Sequence, residues 1–437
     1  MMISIKYARI LLLLLSILIL TACESKPQLP AEPTDARITD EAGLSFRITW
    51  KEYSGRGEAI RKIVDSYDDL TAGSSPVSLL GGDEDMAALQ TALETNFQTV
   101  YMLPYRLVKY FGAKGYLMDL SGTFKDMQNT FYPEVWDLGT ADGVTYGIPW
   151  LGHSMCLIYN KDLLHEAGVD PGSIKSLDAL VEAIMQVERE TDAKGIGLVG
   201  ADSNDLSWMV NQFVYGFGSA LVSEDGKSVA VNNEKAKAAI LFYRDVLGKH
   251  AQPTWLDDTG VEVMTHFRSQ EVAFEIQGIW GVTDIQKNSS PFDTGIIALK
   301  DISLAAEVGP MMLSIPASMP EEVKEEAFRF IRYLISKEAQ EKIMNGEYSP
   351  ERDAYYPFRT PIRTDMAGSQ IFKAHPEYLL FVEGFQNPSI DVPVPKWQAI
   401  KDGLYEPGLS QVMRGNMTAD EFLQSIETEG NKILSGQ

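Results

Sequence analysis

Cysteine and histidine are scarce in this chain of 437 residues, which contains two cysteines, Cys23 and Cys156, and five histidines. No His-Glu-x-x-His motif and no Cys-x-x-Cys pair is present, so the spacing of these residues does not predict a metal site. A Gly-x-Ser-x-Gly nucleophile elbow is also missing from the sequence. We therefore expect no metal, no cofactor and no catalytic centre.

Lysine and arginine are also scarce relative to aspartate and glutamate, with 38 basic and 61 acidic residues. The formal net charge is −23, so the chain has no basic field that could offset the repulsion of phosphate groups. This excess of acidic residues argues against nucleic acid and anionic lipid surfaces as partners. Hydrophobic residues make up 45 % and charged residues 23 %, which is typical of globular proteins, and the length favours two compact units.

The apolar run Ile10–Leu20 is too short to span a membrane comfortably, and Lys6 and Arg9 precede it. A basic start, a short apolar segment and small residues predict a secretory signal peptide over 1–22. Leu20-Thr21-Ala22-Cys23 resembles the bacterial lipobox, in which the cysteine becomes the acylated first residue of the mature protein. A plain signal peptide cut nearby and a single-pass anchor are the alternatives.

Residues 23–41 contain prolines and show no apolar periodicity, so we interpret them as a flexible tether. If Cys23 is the lipid anchor, Cys156 has no partner and no intramolecular disulfide is expected. Cys156 stands in an apolar context, which predicts a buried core thiol.

Strand and helix patterns alternate along the mature chain. Strand patterns at Phe46–Trp50, Val77–Leu80 and Thr99–Leu103 are separated by helical patterns, which predicts βαβ units and parallel sheets. Further on, Ser176 is predicted to cap a helix, and Thr418 with Glu421 to form a capping box. Gly195-x-Gly197-x-x-Gly200 matches a nucleotide-binding motif, but it follows a helix instead of a strand, which favours a structural role.

Several segments resemble sequence motifs of one protein family, and they occur in the same order as in that family. They are Gly115–Leu120, Tyr146–Trp150, Leu157–Leu163 with Ala167-Gly168, Phe267–Trp280 and Ser336–Gln340. In these motifs the chain resembles the family 1 extracellular solute-binding proteins, the sugar-capturing subunits of ABC importers. It departs from the family at Gln270, where a glycine is usual, and at Phe274, where a methionine is usual.

The resemblance implies a two-lobed α/β fold of the type II periplasmic-binding-protein class, with a mainly parallel sheet flanked by helices in each lobe and a hinge between the lobes. It places the crossings between lobes near residues 151–154, 298–300 and 346–351. Lobe 1 would comprise residues 42–151 plus 300–347, and lobe 2 residues 152–299 plus 348–437. It also implies a monomer that closes on a carbohydrate and docks on the membrane permease subunits. Its lipid anchor would hold it on the extracytoplasmic face of the cell membrane.

Sugars present apolar C–H faces edged with hydroxyl groups, so a sugar site needs flat aromatic rings and planar polar groups. Four of the tryptophans fall at the ends of elements or in turns: Trp150, Trp208, Trp280 and Trp397. Core packing is the alternative for each of them. The resemblance places Trp150 and Trp280 at the cleft and His153 at a lobe crossing, where a structural histidine is the alternative.

In lobe 1 the polar candidates follow the first strand, at the edge where open α/β sheets bind ligands. They are Glu52, Tyr53 and Arg56. Asp83 begins the second helix, where a favourable interaction with the helix dipole is the alternative role. Arg359 and Arg363 could reach the cleft or neutralise neighbouring acids.

Two other functions stay open. A secreted carbohydrate-active enzyme would need a carboxylate pair facing each other across the cleft. A binding protein for a non-sugar solute would need a cluster of carboxylates for a cationic ligand or of arginines for an anionic one, and no local cluster of either kind is visible in the sequence.

Overall fold

The computed structural model describes residues 43–52, 54–72, 76–82, 85–288, 292–344, 346–349 and 352–436. The predicted signal peptide 1–22, the acylated Cys23 and the tether 23–41 lie outside the described residues, as do two predicted ligand contacts, Tyr53 and Asp83. Within the described ranges, no helix has the length and apolar character needed to cross a bilayer.

A five-stranded sheet forms the centre of lobe 1. Its strands lie side by side in the order Ser78–Leu80, Ser45–Arg47, Thr99–Pro104, Met311–Ser314 and Ile148–Leu151. The first three strands are parallel, because crossover helices return the chain to the same edge between them. Met311–Ser314 runs antiparallel to both of its neighbours.

A four-stranded sheet forms the centre of lobe 2, in the order Thr294–Ile297, Cys156–Asn160, Val272–Gln277 and Lys194–Gly197. Only the last pair of strands is parallel. Both sheets are therefore mixed, whereas the resemblance implied mainly parallel ones. The antiparallel strands are those that the chain reaches without a βαβ crossover, so nothing constrains them to the parallel direction.

Helices flank both sheets. Their bounds are Gly55–Leu70, Met86–Thr95, Tyr105–Ala113, Pro133–Leu138, Lys161–Glu166, Leu177–Glu190, Asn204–Gly216, Glu234–Leu241, Gly260–Arg268, Ile279–Lys287, Glu321–Leu334, Lys337–Met344, Gln370–Ala374, Leu380–Glu383, Trp397–Ile400, Glu406–Met413 and Ala419–Ser435. The last helix packs against Glu234–Leu241 and Trp397–Ile400.

The predicted helix caps are confirmed. The Ser176 side chain accepts a hydrogen bond from the backbone N–H of Ala179, which satisfies a free donor in the first turn. Thr418 and Glu421 form the predicted capping box, with each side chain accepting from the backbone N–H of the other residue. Gly168 follows the helix Lys161–Glu166 with a φ of 69°, a conformation that glycine adopts without steric cost.

The glycine motif and Cys156 are both structural. Gly195 lies on a strand of the lobe 2 sheet, where a Cβ atom would overlap the Ile184 side chain. Glycine is therefore required at this position for close packing of helix on strand. Cys156 is 1 % exposed, and burial raises the pKa of its thiol.

Three segments, which we call the hinge segments, lie side by side at the junction of the lobes: Gly152–Met155, Ala306–Gly309 and Arg359-Thr360. Gly152 and Thr360 donate backbone hydrogen bonds to each other, both 3.0 Å long. Met155 N donates to Glu307 O at 3.0 Å, and Gly309 N donates to His153 O at 3.3 Å. The first hinge segment is thus paired on both sides by short antiparallel bridges. The first hinge segment overlaps the crossing predicted near 151–154, whereas the second and third follow the crossings predicted near 298–300 and 346–351 by several residues. The lobe boundaries 42–151 plus 300–347 and 152–299 plus 348–437 stay a prediction.

Candidate functional site

Four aromatic rings and one guanidinium group form a continuous row where the two lobes meet. Arg359 Cζ lies 5.1 Å from the centre of the Trp50 ring and 4.6 Å from the centre of the Trp280 ring. Trp280 meets the His153 ring edge to face at 4.9 Å, and the Trp208 ring lies 6.2 Å beyond His153. We call these five residues the aromatic row. Both lobes and two hinge segments contribute to it.

Trp280 is positioned by the turn between a strand of the lobe 2 sheet and the next helix. A Cβ atom at Gly278 would overlap the indole ring, so glycine makes room for it. Trp280 Nε1 donates to Gln277 Oε1 at 3.0 Å, and Gln277 Nε2 donates to Gly260 O at 3.1 Å. These bonds fix the orientation of the indole ring while leaving part of it exposed.

Trp208 is anchored by a buried polar network. Its Nε1 donates to Asp391 Oδ2 at 3.1 Å, and Lys401, which is fully buried, forms an ion pair with the same carboxylate. The Ser207 hydroxyl group bridges two carboxyl groups, with Oγ 3.1 Å from Asp391 Oδ1 and 2.9 Å from Glu406 Oε1. Burial raises the pKa of Glu406. A buried charge pair of this kind needs all of its hydrogen bonds, so the network holds Trp208 in one position.

His153 and Glu307 form the central polar contact of the site. His153 Nε2 and Glu307 Oε2 are 2.7 Å apart, and the two residues are 6 % and 1 % exposed. They come from the first and second hinge segments, which the backbone bridges hold together. His153 was predicted as a ligand contact, and the structure places its ring between Trp280 and Trp208.

The lobe 1 side of the site is the loop after the first strand. Arg56 Cζ lies 5.5 Å from the centre of the Trp50 ring, and burial lowers the pKa of Arg56. Glu52 Oε2 accepts a hydrogen bond from Gly81 N at 3.0 Å, which ties this loop to the segment after the neighbouring strand. The predicted residues Glu52 and Arg56 therefore lie beside Trp50, at the lobe 1 end of the aromatic row.

Two predicted contacts, Trp150 and Trp397, lie away from the row. Both are fully buried. Trp150 Nε1 donates to Leu334 O at 3.1 Å, and the Trp150 ring packs edge to face on Phe46 at 5.3 Å. Trp397 packs on Tyr405 at 5.7 Å inside lobe 2. In this conformation neither indole offers a face to a ligand.

Sequence reasoning did not single out Trp50, Glu307, Asp391 or Lys401. Trp50 carried a signal, since it follows the first strand at the edge where ligands bind. Glu307 and Asp391 carried none, because His153 and Trp208 are 154 and 183 positions away from them in the sequence. Lys401 pairs with Asp391 over 10 positions, but the two residues form no recognisable motif. Arg359 was left undecided and lies in the row, whereas Arg363 donates to Ile335 O at 2.9 Å and pairs with Asp365, which is a structural role.

Within the described part of the chain, no group of three His, Cys, Asp or Glu side chains is arranged to hold a metal ion. The arrangement instead combines ring faces, acceptors and guanidinium donors. Such a set can bind a molecule that has both apolar faces and hydroxyl groups.

The sequence of the chain is similar to those of known solute-binding proteins. The model of the family described as bacterial extracellular solute-binding protein matches residues 77–341, more than half of the chain. The chain is 26 % identical over 248 residues to a lactose-binding protein of Rhizobium radiobacter, covering 53 % of this chain and 56 % of that protein. It is 23 % identical over 334 residues to a maltooligosaccharide ABC transporter solute-binding lipoprotein of Streptococcus pneumoniae, covering 75 % of each. The chain thus spans little more than half the length of the first of these relatives.

Solved structures share the fold. Maltose-bound MalE3 of T. maritima superposes with a TM-score of 0.76 at 20 % identity, covering 90 % of this chain and 100 % of that one. A solute-binding protein of Thermotoga lettingae bound with alpha-D-tagatose gives a TM-score of 0.75 at 22 % identity, covering 90 % and 99 %. At these identities the likeness establishes the two-lobed fold alone.

Proposed function

Because the chain belongs to the bacterial extracellular solute-binding proteins, we propose that it binds a carbohydrate between its two lobes and delivers it, chemically unchanged, to the membrane permease of an ABC transporter. The observation that carries this proposal is the aromatic row. Its indole rings can stack on the C–H faces of a sugar, and its polar atoms can exchange hydrogen bonds with hydroxyl groups.

The composition of the row couples binding to closure. Trp50 comes from lobe 1, Trp208 and Trp280 come from lobe 2, and His153 and Arg359 come from the hinge segments. A ligand that touches all of them makes more contacts in the closed arrangement than in an open one. It therefore favours closure by the difference in its interaction free energy between the two arrangements.

The proposed ligand contacts are the predicted residues that line the row, together with Trp50 and Arg359. The predicted ones are Trp280, Trp208 and His153, with Glu52 and Arg56 at the lobe 1 end. Tyr53 and Asp83 stay predictions. Since Trp150 and Trp397 are enclosed, we assign them to the support of the lobes.

The names of relatives support a sugar as the ligand. A lactose-binding protein and a maltooligosaccharide-binding lipoprotein are among them, and one structural neighbour holds tagatose. The same lipoprotein supports acylation of Cys23 and attachment to the extracytoplasmic face of the membrane. Labelling with a palmitate analogue tests the anchor, because Cys23→Ser should abolish the label and release the protein from membranes.

Calorimetric titration of the mature chain with monosaccharides, oligosaccharides and sugar alcohols tests the ligand class. We expect saturable binding of at least one saccharide, and recovery of that saccharide intact by chromatography. Conversion of a glycan into products would identify an enzyme instead. Binding of a peptide or polyamine, with none of the saccharides bound, would identify a carrier of another solute.

A further inference from the structure

Two buried polar atoms at the junction of the first two hinge segments have no hydrogen-bond partner among the described residues. His153 Nδ1 and Glu307 Oε1 are both inaccessible to solvent and make no hydrogen bond with any part of the chain that the structure describes. An unsatisfied buried polar atom costs free energy, so native structures almost always provide it with a partner. Two such atoms on one contacting pair point to a ligand that supplies the missing donors.

The contact between the two side chains determines which nitrogen of His153 carries a proton. A carboxylate oxygen can only accept a hydrogen bond, so the proton in the 2.7 Å contact with Glu307 belongs to His153 Nε2. In a neutral imidazole the other nitrogen then has a free lone pair. With a neutral imidazole, His153 Nδ1 and Glu307 Oε1 are both acceptors.

The histidine ring has no room to turn away from this arrangement. A Cβ atom at Gly309 would overlap the ring, so the backbone of the second hinge segment packs directly against it. The Trp280 edge-to-face contact at 4.9 Å and the Trp208 ring at 6.2 Å confine the other sides. The two acceptors are thus held in place beside the indole rings.

We propose that Glu307 is a positioning residue that holds His153 in the Nε2–H tautomer, so that His153 Nδ1 and Glu307 Oε1 together accept hydrogen bonds from hydroxyl groups of the ligand. This inference rests on the proposed function and narrows it. The part of the ligand that meets the hinge must supply hydrogen-bond donors, as the hydroxyl groups of a sugar or sugar alcohol do. A carboxylate or phosphate group placed against His153 Nδ1 and Glu307 Oε1 would bring further acceptors against these two acceptors.

Nitrogen-15 NMR of the histidine-labelled protein tests the positioning step without any substitution at the site. We expect the His153 ring, assigned by the signal lost in His153→Gln, to show a protonated Nε2 and an unprotonated Nδ1. Addition of a bound saccharide should shift the Nδ1 resonance. A proton on Nδ1 in the ligand-free protein would overturn the inference.

Glu307→Gln tests the coupling to binding, with Glu275→Gln as the matched control. Glu275 is also fully buried and has both carboxyl oxygens unpartnered among the described residues, but its side chain faces Gly281 instead of the aromatic row. We expect Glu307→Gln to weaken saccharide binding about 10- to 100-fold and to make the His153 tautomer heterogeneous, while Glu275→Gln keeps both unchanged. Equal affinities for Glu307→Gln and the wild type would overturn the inference.

The two proposals fail separately. A wild-type protein that binds none of the saccharides or sugar alcohols overturns the proposed function. The position of the proton on the His153 ring, observed by NMR, then still tests the role of Glu307. A proton on Nε2 supports the positioning role, and a proton on Nδ1 refutes it.

Discussion

Replacing Trp150 and Trp280 one at a time should separate the core of lobe 1 from the proposed binding cleft. Both residues are tryptophans that we expected at the cleft, so each variant is the control of the other. Trp150 is fully buried, and its indole donates to Leu334 O at 3.1 Å. Trp280 is partly exposed and contacts Arg359 and His153.

The magnitudes follow from these contacts. Trp150→Ala opens a cavity in a closed core, for which large-to-small changes cost about 3–5 kcal/mol of unfolding free energy. The Leu334 carbonyl loses its shorter hydrogen bond in addition and keeps the 3.5 Å one from Gln340 Nε2, which costs about 1 kcal/mol more. Trp280→Ala removes one hydrogen bond and one cation–π contact, each worth about 1 kcal/mol, at a site that water already reaches.

For saccharide affinity we expect the opposite order, with a larger loss in Trp280→Ala than in Trp150→Ala. A tryptophan at the centre of a binding surface commonly contributes about 2 kcal/mol, so Trp280→Ala should weaken saccharide binding about 30-fold. Trp150→Ala should leave the affinity of the folded fraction unchanged. Urea unfolding and calorimetric titration of both variants measure the two quantities independently. Equal loss of stability in both variants, with unchanged affinity in Trp280→Ala, would show that the row is part of the core and refute the reasoning.

Three further predictions concern backbone conformation, ionisation and packing. Gln270 has a φ of 60°, and the family usually has glycine there, so Gln270→Gly should stabilise the protein by about 0.5 kcal/mol in urea unfolding; a loss would show that its contacts outweigh the strain. Burial raises the pKa of Glu275 well above its ordinary value, so the folded chain keeps a proton that the unfolded chain releases as the pH rises. The free energy of unfolding should therefore fall from pH 5 to pH 8 more steeply in the wild type than in Glu275→Gln, and equal slopes would contradict this. Gly309→Ala should displace His153 and weaken saccharide binding at least about tenfold. Gly403→Ala is the control, because a Cβ atom at Gly403 would have no atom within 4 Å. Calorimetric titration of this variant should give the same saccharide affinity as the wild type.

The elements that the sequence predicted well are those set by local chemistry. Ser176 and Thr418 cap helices because a side-chain oxygen needs only to reach a backbone N–H two or three residues ahead. Gly168 ends a helix because its φ is positive, and that requirement is also local. The family resemblance, now confirmed, supplied the two-lobed arrangement, which periodicity alone would not have provided.

The composition of the site was harder to predict, because burial depends on distant parts of the chain. Trp150 follows a turn like many cleft residues, but Leu334, 184 positions away, encloses its indole N–H. Glu307 contacts His153 although the two residues are 154 positions apart in the sequence, and no local sequence pattern at either residue predicts this contact. Which acidic or aromatic residues converge at a hinge is decided by chain crossings, and these are visible only in three dimensions.

The central position of Met311–Ser314 in the lobe 1 sheet has a consequence for biogenesis. This strand lies between Thr99–Pro104 and Ile148–Leu151, so the sheet is split into two parts until residue 314 is available. An emerging polypeptide would therefore retain unpaired strand edges through most of its synthesis, and pairing over such long sequence distances is slow. Late completion of the sheet would keep the chain unfolded, and so able to pass through a secretion channel, until most of it has been synthesised.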